Sequence, residues 1–203
     1  MSSQSTNTGA ESWSDRYRAK DTPWDIGAPH PELARRIANG DLRPRREGAT
    51  ALVPGAGYGH DALALAEAGF VVTAVDLAPE THGDVARRLE SAGGRFLHQD
   101  VLGYEGEIFD LVFDHTFFCA IEPAERGRWG RFVRRVLAPG GRLVAIVFPS
   151  GKPRENGGPP YTSEVEDMVA VLPKDLELMS VEPVGAPLPR REWREWWAVF
   201  ESR

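Results

Sequence analysis

The 203-residue chain has one cysteine, Cys119, which excludes an internal disulfide and any zinc site built on cysteine pairs. Its histidines, at positions 30, 60, 82, 98 and 115, show neither HxxxH nor HxH spacing, so a histidine-built metal centre has no support and no metal is expected. Lysine is nearly missing: Lys20, Lys152 and Lys174 stand alone, and arginine carries the rest of the positive charge. No run approaches the ~18 consecutive apolar residues of a membrane span. The opening MSSQSTNTGAES lacks the basic and apolar regions of a secretory leader, so a cytoplasmic location is expected. With 30 acidic residues against 24 basic ones, the net charge of −6 is a poor basis for gripping a phosphate backbone. The expected partner is a small-molecule substrate, not nucleic acid or membrane, and the expected state is a monomer or weak homodimer.

What is present reads as one folded domain: 41% hydrophobic and 27% charged residues over a length close to a single-domain prior. Residues 1–12 offer no apolar anchor and read as a disordered tail, leaving 13–203 as the domain and 13–48 as its N-terminal segment. From residue 50 strands and helices alternate. Strands are expected at 50–54, 70–77, 95–100, 108–115 and 142–149, with helices at 60–69, 80–92 and 123–137 between them. Pro139-Gly140-Gly141 reads as the stop of the last of these helices. Ser163 and Glu166 suggest a capping box for a helix over 164–172. Two final strands, LELMSVEPV and EWREWWAVF, have no helix between them and so form an antiparallel hairpin. The sum is a doubly wound, mostly parallel seven-stranded α/β sheet of Rossmann type.

The chemistry concentrates where the first strand ends. Leu52-Val53-Pro54 runs into Gly55, Gly57 and Gly59 and then into a helix, at the edge where doubly wound sheets bind ligands. Asp76 closes the second strand 21 residues after Gly55, the place and distance of an acid that accepts from ribose hydroxyls. The dinucleotide fingerprint fails, because its last glycine is replaced by His60 and Asp61 follows at the helix start. That points to an adenosine-containing cofactor without phosphates, which S-adenosyl-L-methionine fits. Asp100-Val101 closes the third strand, where a carboxylate can accept from an adenine amine and an apolar neighbour can cover the ring.

These features resemble class I S-adenosylmethionine-dependent methyltransferases. More restricted segments are similar to the thiopurine S-methyltransferase superfamily, and within it to the thiol, thiocyanate and halide methyltransferases. They are Trp13-x-x-x-Tyr17, Thr22-Pro23-Trp24-Asp25-x-Gly27, Val53-Pro54-Gly55, the stretch from Phe109 through Asp114-His115-Thr116-Phe117-Phe118-Cys119-Ala120, and Gly157-Gly158-Pro159-Pro160-Tyr161. The resemblance covers roughly residues 13–200. It implies that Trp13, Tyr17 and Trp24 cover the cofactor from an N-terminal helical lid. It also implies that the glycine loop holds the methionine end, Asp76 with Leu77 the ribose, and Asp100 with Val101 the adenine. His115 stands where the family usually has a tyrosine beside the cofactor, which makes it a candidate for cofactor contact and proton transfer. Tyr161 matches a tyrosine facing the substrate, and Phe117 and Phe118 supply an apolar substrate wall.

The expected reaction is methyl transfer to a small soft nucleophile: a thiol, thiocyanate, hydrosulfide, selenium compound or halide. A thiol with a pKa near 8.5 supplies some thiolate unaided, so no strong base is required. The alternatives are a small-molecule O- or N-methyltransferase, a nicotinamide oxidoreductase, or a cofactor-binding protein without turnover. Cys119 reads as a small buried hydrophobe. Trp129 reads as helix core, and Trp196 and Trp197 as packing on opposite faces of a strand. For Arg190, Arg191 and Arg194 there are two readings, arginines lining an anionic substrate path and solvated arginines, and the second is preferred.

Overall fold

A computed structural model describes residues 10–185, 188 and 191–203. The helices are α1 (Ala10–Arg18), α2 (Pro31–Ala38), α3 (His60–Glu67), α4 (Asp84–Ser91), α5 (Arg126–Val136) and α6 (Val165–Val171). The strands are β1 (Thr50–Pro54), β2 (Val71–Asp76), β3 (Arg95–His98), β4 (Phe109–His115), β5 (Leu137–Ser150), β6 (Leu176–Pro183) and β7 (Arg194–Ser202). They form one seven-stranded sheet in the order β3-β2-β1-β4-β5-β7-β6. The first five strands are parallel, and β7 runs antiparallel to both β5 and β6. This is the doubly wound architecture, with the hairpin turned so that β7 enters the sheet and β6 takes the edge. Among the described residues no helix is long and apolar enough to cross a membrane.

The central strands are buried on both faces, and successive side chains feed two cores. Leu143, Ala145 and Val147 of β5 join Trp129, Phe132, Val133 and Val136 of α5 on one side. Val144 and Ile146 join Leu33 of α2, Leu65 of α3 and Leu89 of α4 on the other. Trp197 belongs to the second core and Trp196 packs against the first, so the two tryptophans do face opposite ways. Trp129 is fully buried and its indole Nε1 donates to Asp114 at 2.9 Å.

Several boundaries differ from the sequence reading for local reasons. α1 begins at Ala10, inside the segment read as a tail; residues 1–9 lie outside the described residues. The helix expected at 80–92 is interrupted. Pro79–Thr81 forms a 3-10 turn in which the Thr81 hydroxyl donates to the Ala78 carbonyl, and α4 restarts after Gly83. The capping box of α6 is Glu164 with Asp167, one residue on from Ser163 and Glu166. Glu164 wins the position because its carboxylate also accepts from the Ser150 hydroxyl at 2.6 Å and the Gly151 N–H at 2.7 Å. Pro139-Gly140-Gly141 does not stop α5, which already ends at Val136. It sits in a register shift within β5, where Leu137 pairs with Phe109 and pairing resumes at Leu111 with Arg142.

α5 and α6 meet at a glycine. A Cβ on Gly130 would fall 1.9 Å from the Val171 carbonyl oxygen, so the two helices touch backbone to side-chain position. Gly130→Ala should therefore destabilise the chain by about 1–3 kcal/mol through overpacking, despite the higher helix propensity of alanine. A lower urea midpoint with an unchanged denaturant slope is the expected reading.

Candidate active site

The carboxyl edge of the parallel strands carries a cavity of about 770 Å³. Its first wall is the loop between β1 and α3. Gly55 and Gly57 take left-handed backbone at φ of +58° and +54°, a conformation that costs other residues strain. A Cβ on Gly55 would lie 2.5 Å from the Phe117 ring, so the loop and the β4 turn approach as closely as a bare backbone permits. Gly57 turns its N–H onto Asp76 Oδ2 at 2.8 Å, while Ala78 N–H donates to Oδ1 at 2.9 Å. Asp76 is thus fixed at the end of β2 with its carboxylate at the cavity wall. Burial pushes its pKa up, and the backbone donors oppose that. Gly59 sits behind this wall, where it starts α3 and packs toward Phe96.

The second wall follows β3. Asp100 accepts from the Leu102 N–H at 3.0 Å, which caps the short turn Val101–Gly103, and its other oxygen lies 3.5 Å from Arg128. Asp100, Val101 and Leu77 all line the cavity. The third wall is aromatic and comes from the N-terminal segment. Trp13 and Tyr17 meet Trp24 edge to face, with centroids 5.5 Å and 5.8 Å away, and Tyr17 meets Tyr58 at 5.3 Å. The Arg16 guanidinium lies 4.4 Å from the centre of the Trp24 ring. Burial and the nearby Asp76 push the Tyr17 phenol up, so it remains a neutral hydroxyl.

The floor is where the sequence reading needs correction. Phe117 lines the cavity as expected, but Phe118 does not. The Asp114 carboxylate accepts the Phe118 N–H at 3.1 Å, and the Phe118 ring packs edge to face on Trp129 in the core. His115 does not line the cavity either. At the last position of a strand buried on both faces, its ring turns to the α3 side. There Nδ1 lies 2.7 Å from Asp61 Oδ2, and the Arg191 guanidinium donates to Nε2 at 3.0 Å. Asp61, read as a charge that would repel a phosphate, is committed to His115 and to the His30 N–H at 2.8 Å. Tyr161 stands outside the lining: its N–H donates to the Cys119 carbonyl at 2.7 Å and its ring packs on Gly158, while Pro159 and Pro160 reach the cavity in its place.

Sequence reasoning ranked the cationic part of the floor second. Arg191 was read as solvated, yet only 9% of its side chain is exposed. It lines the cavity with its guanidinium 4.3 Å from the centre of the Phe148 ring. The Arg-rich stretch around it gave no signal that one arginine would turn inward. Arg190 lies outside the described residues. Lys152 also reaches the cavity, with its ammonium on the carbonyls of Gly157 at 2.8 Å and Pro160 at 2.5 Å. Cys119 borders the cavity, but burial and then Asp114 push its thiol up to about 12, which leaves it an inert small hydrophobe.

One chain thus builds a pocket with a glycine cradle, a fixed acid at the end of β2, a second acid at the end of β3, and aromatic cover. A model of the thiopurine S-methyltransferase family matches residues 8–199. The chain belongs to that family. Among relatives, a probable thiol methyltransferase 2 of Arabidopsis thaliana is 35% identical over 83% of this chain and 75% of its own length. Thiocyanate methyltransferase 1 of the same plant is 33% identical over 90% of this chain and 81% of its own. In solved structures the fold recurs in the N-methyltransferase NodS of Bradyrhizobium japonicum, in complex with S-adenosyl-L-homocysteine. Its TM-score is 0.73 at 18% identity, over 96% of this chain and 98% of that one. The chain is an S-adenosylmethionine-dependent methyltransferase, and the cavity has features that fit that cofactor: a close backbone approach at Gly55, the Asp76 carboxylate on its wall, and aromatic faces of the kind that can hold a sulfonium.

Asp76→Asn should weaken adenosylhomocysteine binding by about ten-fold or more, since a charge-assisted hydrogen bond contributes about 1.5–3 kcal/mol. Phe118→Leu, behind the floor, should leave that affinity within about two-fold while lowering stability by about 1 kcal/mol. Calorimetric titration with adenosylhomocysteine and urea unfolding check both.

Proposed function

We propose that the enzyme methylates a small, soft, anionic nucleophile: a thiolate, hydrosulfide, thiocyanate, selenolate or halide. The observation that carries the reading is the meeting of Arg191 with Phe117 and Phe148 in the same cavity as Gly55 and Asp76. When bound, S-adenosylmethionine supplies an electrophilic methyl group on a sulfonium, and the acceptor takes that methyl with adenosylhomocysteine as the second product. The chain's part is to bring acceptor and methyl together and exclude water. The apolar rings strip solvent from a weakly hydrated anion at little loss, and the guanidinium supplies the opposite charge and lowers a thiol's pKa. No proton need be removed from an acceptor that arrives ionised. This suits a floor where neither His115 nor Tyr161 lines the cavity. An oxygen acceptor such as a phenol, with a pKa near 10, lacks that advantage. On this reading the enzyme is a monomer or weak homodimer acting on a small molecule.

Residues 13–30 are proposed to act as a lid. Trp13, Tyr17 and Trp24 wall the cavity from a segment that meets the rest of the chain through the contact of α1 with the Pro79–Thr81 turn, through Tyr17 on Tyr58, and through His30. Such a segment can open for entry and close for reaction.

Release of adenosylhomocysteine should accompany incubation with hydrosulfide, thiocyanate, iodide or an aromatic thiol, and turnover on a matched phenol should be at least about 100-fold lower, a difference of about 2.7 kcal/mol in barrier. Equal rates on phenol and thiol would overturn the soft-nucleophile reading. For the lid, saturating adenosylhomocysteine should slow tryptic cleavage at Arg16 and Arg18 several-fold. Equal cleavage with and without it would remove the lid.

A further inference from the structure

Arg191 is held from below by a group of buried and partly buried side chains gathered from distant parts of the chain. Glu195 of β7 accepts from the Arg191 guanidinium. His30, just before α2, lies with Nε2 3.3 Å from the same carboxylate. His115 at the end of β4 and Asp61 in the first turn of α3 complete the group. The His30 and His115 rings meet edge to face with centroids 4.8 Å apart.

The hydrogen-bond directions follow from donor chemistry. Arginine has donors only, so His115 Nε2, facing Arg191 at 3.0 Å, must accept and carry no proton. The ring's proton is then on Nδ1 and is donated to Asp61 at 2.7 Å. His30 has the opposite arrangement. Its Nδ1 accepts from the Glu32 N–H at 3.1 Å, so its Nε2 carries the proton toward Glu195. Both rings are neutral in this network, and both carboxylates are paired.

We propose that His115, fixed by Asp61, is a positioning residue. As the neutral Nδ1–H tautomer it accepts from Arg191 and holds that guanidinium toward the acceptor end of the cavity. The proposal rests on the anionic-acceptor reading above. A second proton on His115 would set an imidazolium N–H against the guanidinium at 3.0 Å and release Arg191 from its place. The charged and titratable groups facing His115 are Asp61 from α3, His30 from the start of α2, and Arg191 with Glu195 from the β7 side; β5 presents Ile146 at the opposing register position. Burial first, then Arg191 and His30, lower the His115 pKa against the pull of Asp61. The neutral ring therefore persists at neutral pH and is lost only as pH falls below the ordinary imidazole value of about 6.5.

The test uses the full chain with thiocyanate as acceptor, because its charge does not change over the range and thiol ionisation cannot mimic the effect. His115→Phe should raise the thiocyanate KM by about ten-fold, the scale of a lost hydrogen bond to a charged group. His115→Gln, whose amide oxygen can still accept from Arg191, should restore KM to within about three-fold. Adenosylhomocysteine affinity should stay within about two-fold in both. The wild-type KM should rise on the acid side of the ordinary imidazole value of about 6.5, and His115→Gln should flatten that limb, which decides the matter even if the phenylalanine variant folds poorly. In ¹⁵N-histidine-labelled protein, the signals missing from His115→Gln should show a protonated Nδ1 and a bare Nε2 at pH 7.5. An unchanged KM in His115→Phe, a parallel loss of adenosylhomocysteine binding, or a protonated Nε2 would each overturn the proposal. No transfer to thiocyanate by the wild type would sink the acceptor reading, and the tautomer in the same labelled sample would still decide the His115–Arg191 contact.

Discussion

The carboxylate of Asp76 is the constraint on which the site depends. It terminates β2, yet its two oxygens accept the N–H groups of Gly57 and Ala78, one on the turn leaving β1 and one on its own outgoing turn. Two crossover connections are therefore pinned to one side chain at the carboxyl edge of the sheet. The pinning is possible because Gly57 can take positive φ and aim its N–H inward. The Ala56 N–H adds a backbone bond to the Val75 carbonyl at 3.0 Å, so the glycine loop is tied to β2 twice. With the loop fixed, Gly55 can press against Phe117, and that contact sets the depth of the cavity floor.

A second buried acid performs a related task one strand along. Asp114 in β4 accepts from the Phe118 N–H and the Trp129 indole, and burial pushes its pKa up to about 6. It links the turn after β4 to α5, so the floor of the cavity is fastened to the core helix and not left as a loose loop. Phe117 and Phe118 are divided by that fastening: one ring is released into the cavity and the other is drawn down onto Trp129. The pair looks equivalent in sequence and is not equivalent in space, because the choice is made by a hydrogen bond to a residue in another element.

This divides what could be read from the sequence from what could not. The mostly parallel sheet with its antiparallel hairpin, the glycine loop, and the places of Asp76 and Asp100 at strand ends were legible because each rests on local chemistry: β-branched runs, glycine spacing, a carboxylate at a strand end. The places of Trp13, Tyr17 and Trp24 came from the family resemblance instead. Trp129 and the opposed tryptophans of β7 were legible from periodicity. The floor was not. Whether His115 reaches the cavity depends on side chains brought in from α3 and from the segment before β7, and no spacing rule connects Asp61, His115 and Arg191. Arg191 was ranked as solvated for the same reason, since a row of arginines gives no clue as to which one meets a buried glutamate. The capping box missed by one residue because Ser163 and Glu164 are both able caps, and the contact with Ser150 that decides between them is tertiary.

The buried ionic group beneath the floor is poorly explained as a source of stability. Burial pushes the Glu195 carboxyl up, while the His30 hydrogen bond and the Arg191 charge outweigh it and hold the group near 2. Desolvating such groups costs several kcal/mol each, and well-packed apolar residues of similar volume often do as well. Removing a single member, however, leaves a buried donor or acceptor on its neighbours unsatisfied, so the members depend on one another. That property suits a device that fixes one guanidinium in one place. It also couples two regions that the sheet alone would leave independent. The His30 N–H is bonded to Asp61 beside the glycine loop, and the His30 ring faces Glu195 below the acceptor end. The segment carrying Trp13, Tyr17 and Trp24 is thus anchored at its C-terminal end to the same group that orients Arg191. Under the proposed function, the aromatic wall and the Arg191 charge then share one footing through His30, which bonds Asp61 with its N–H and faces Glu195 with its ring.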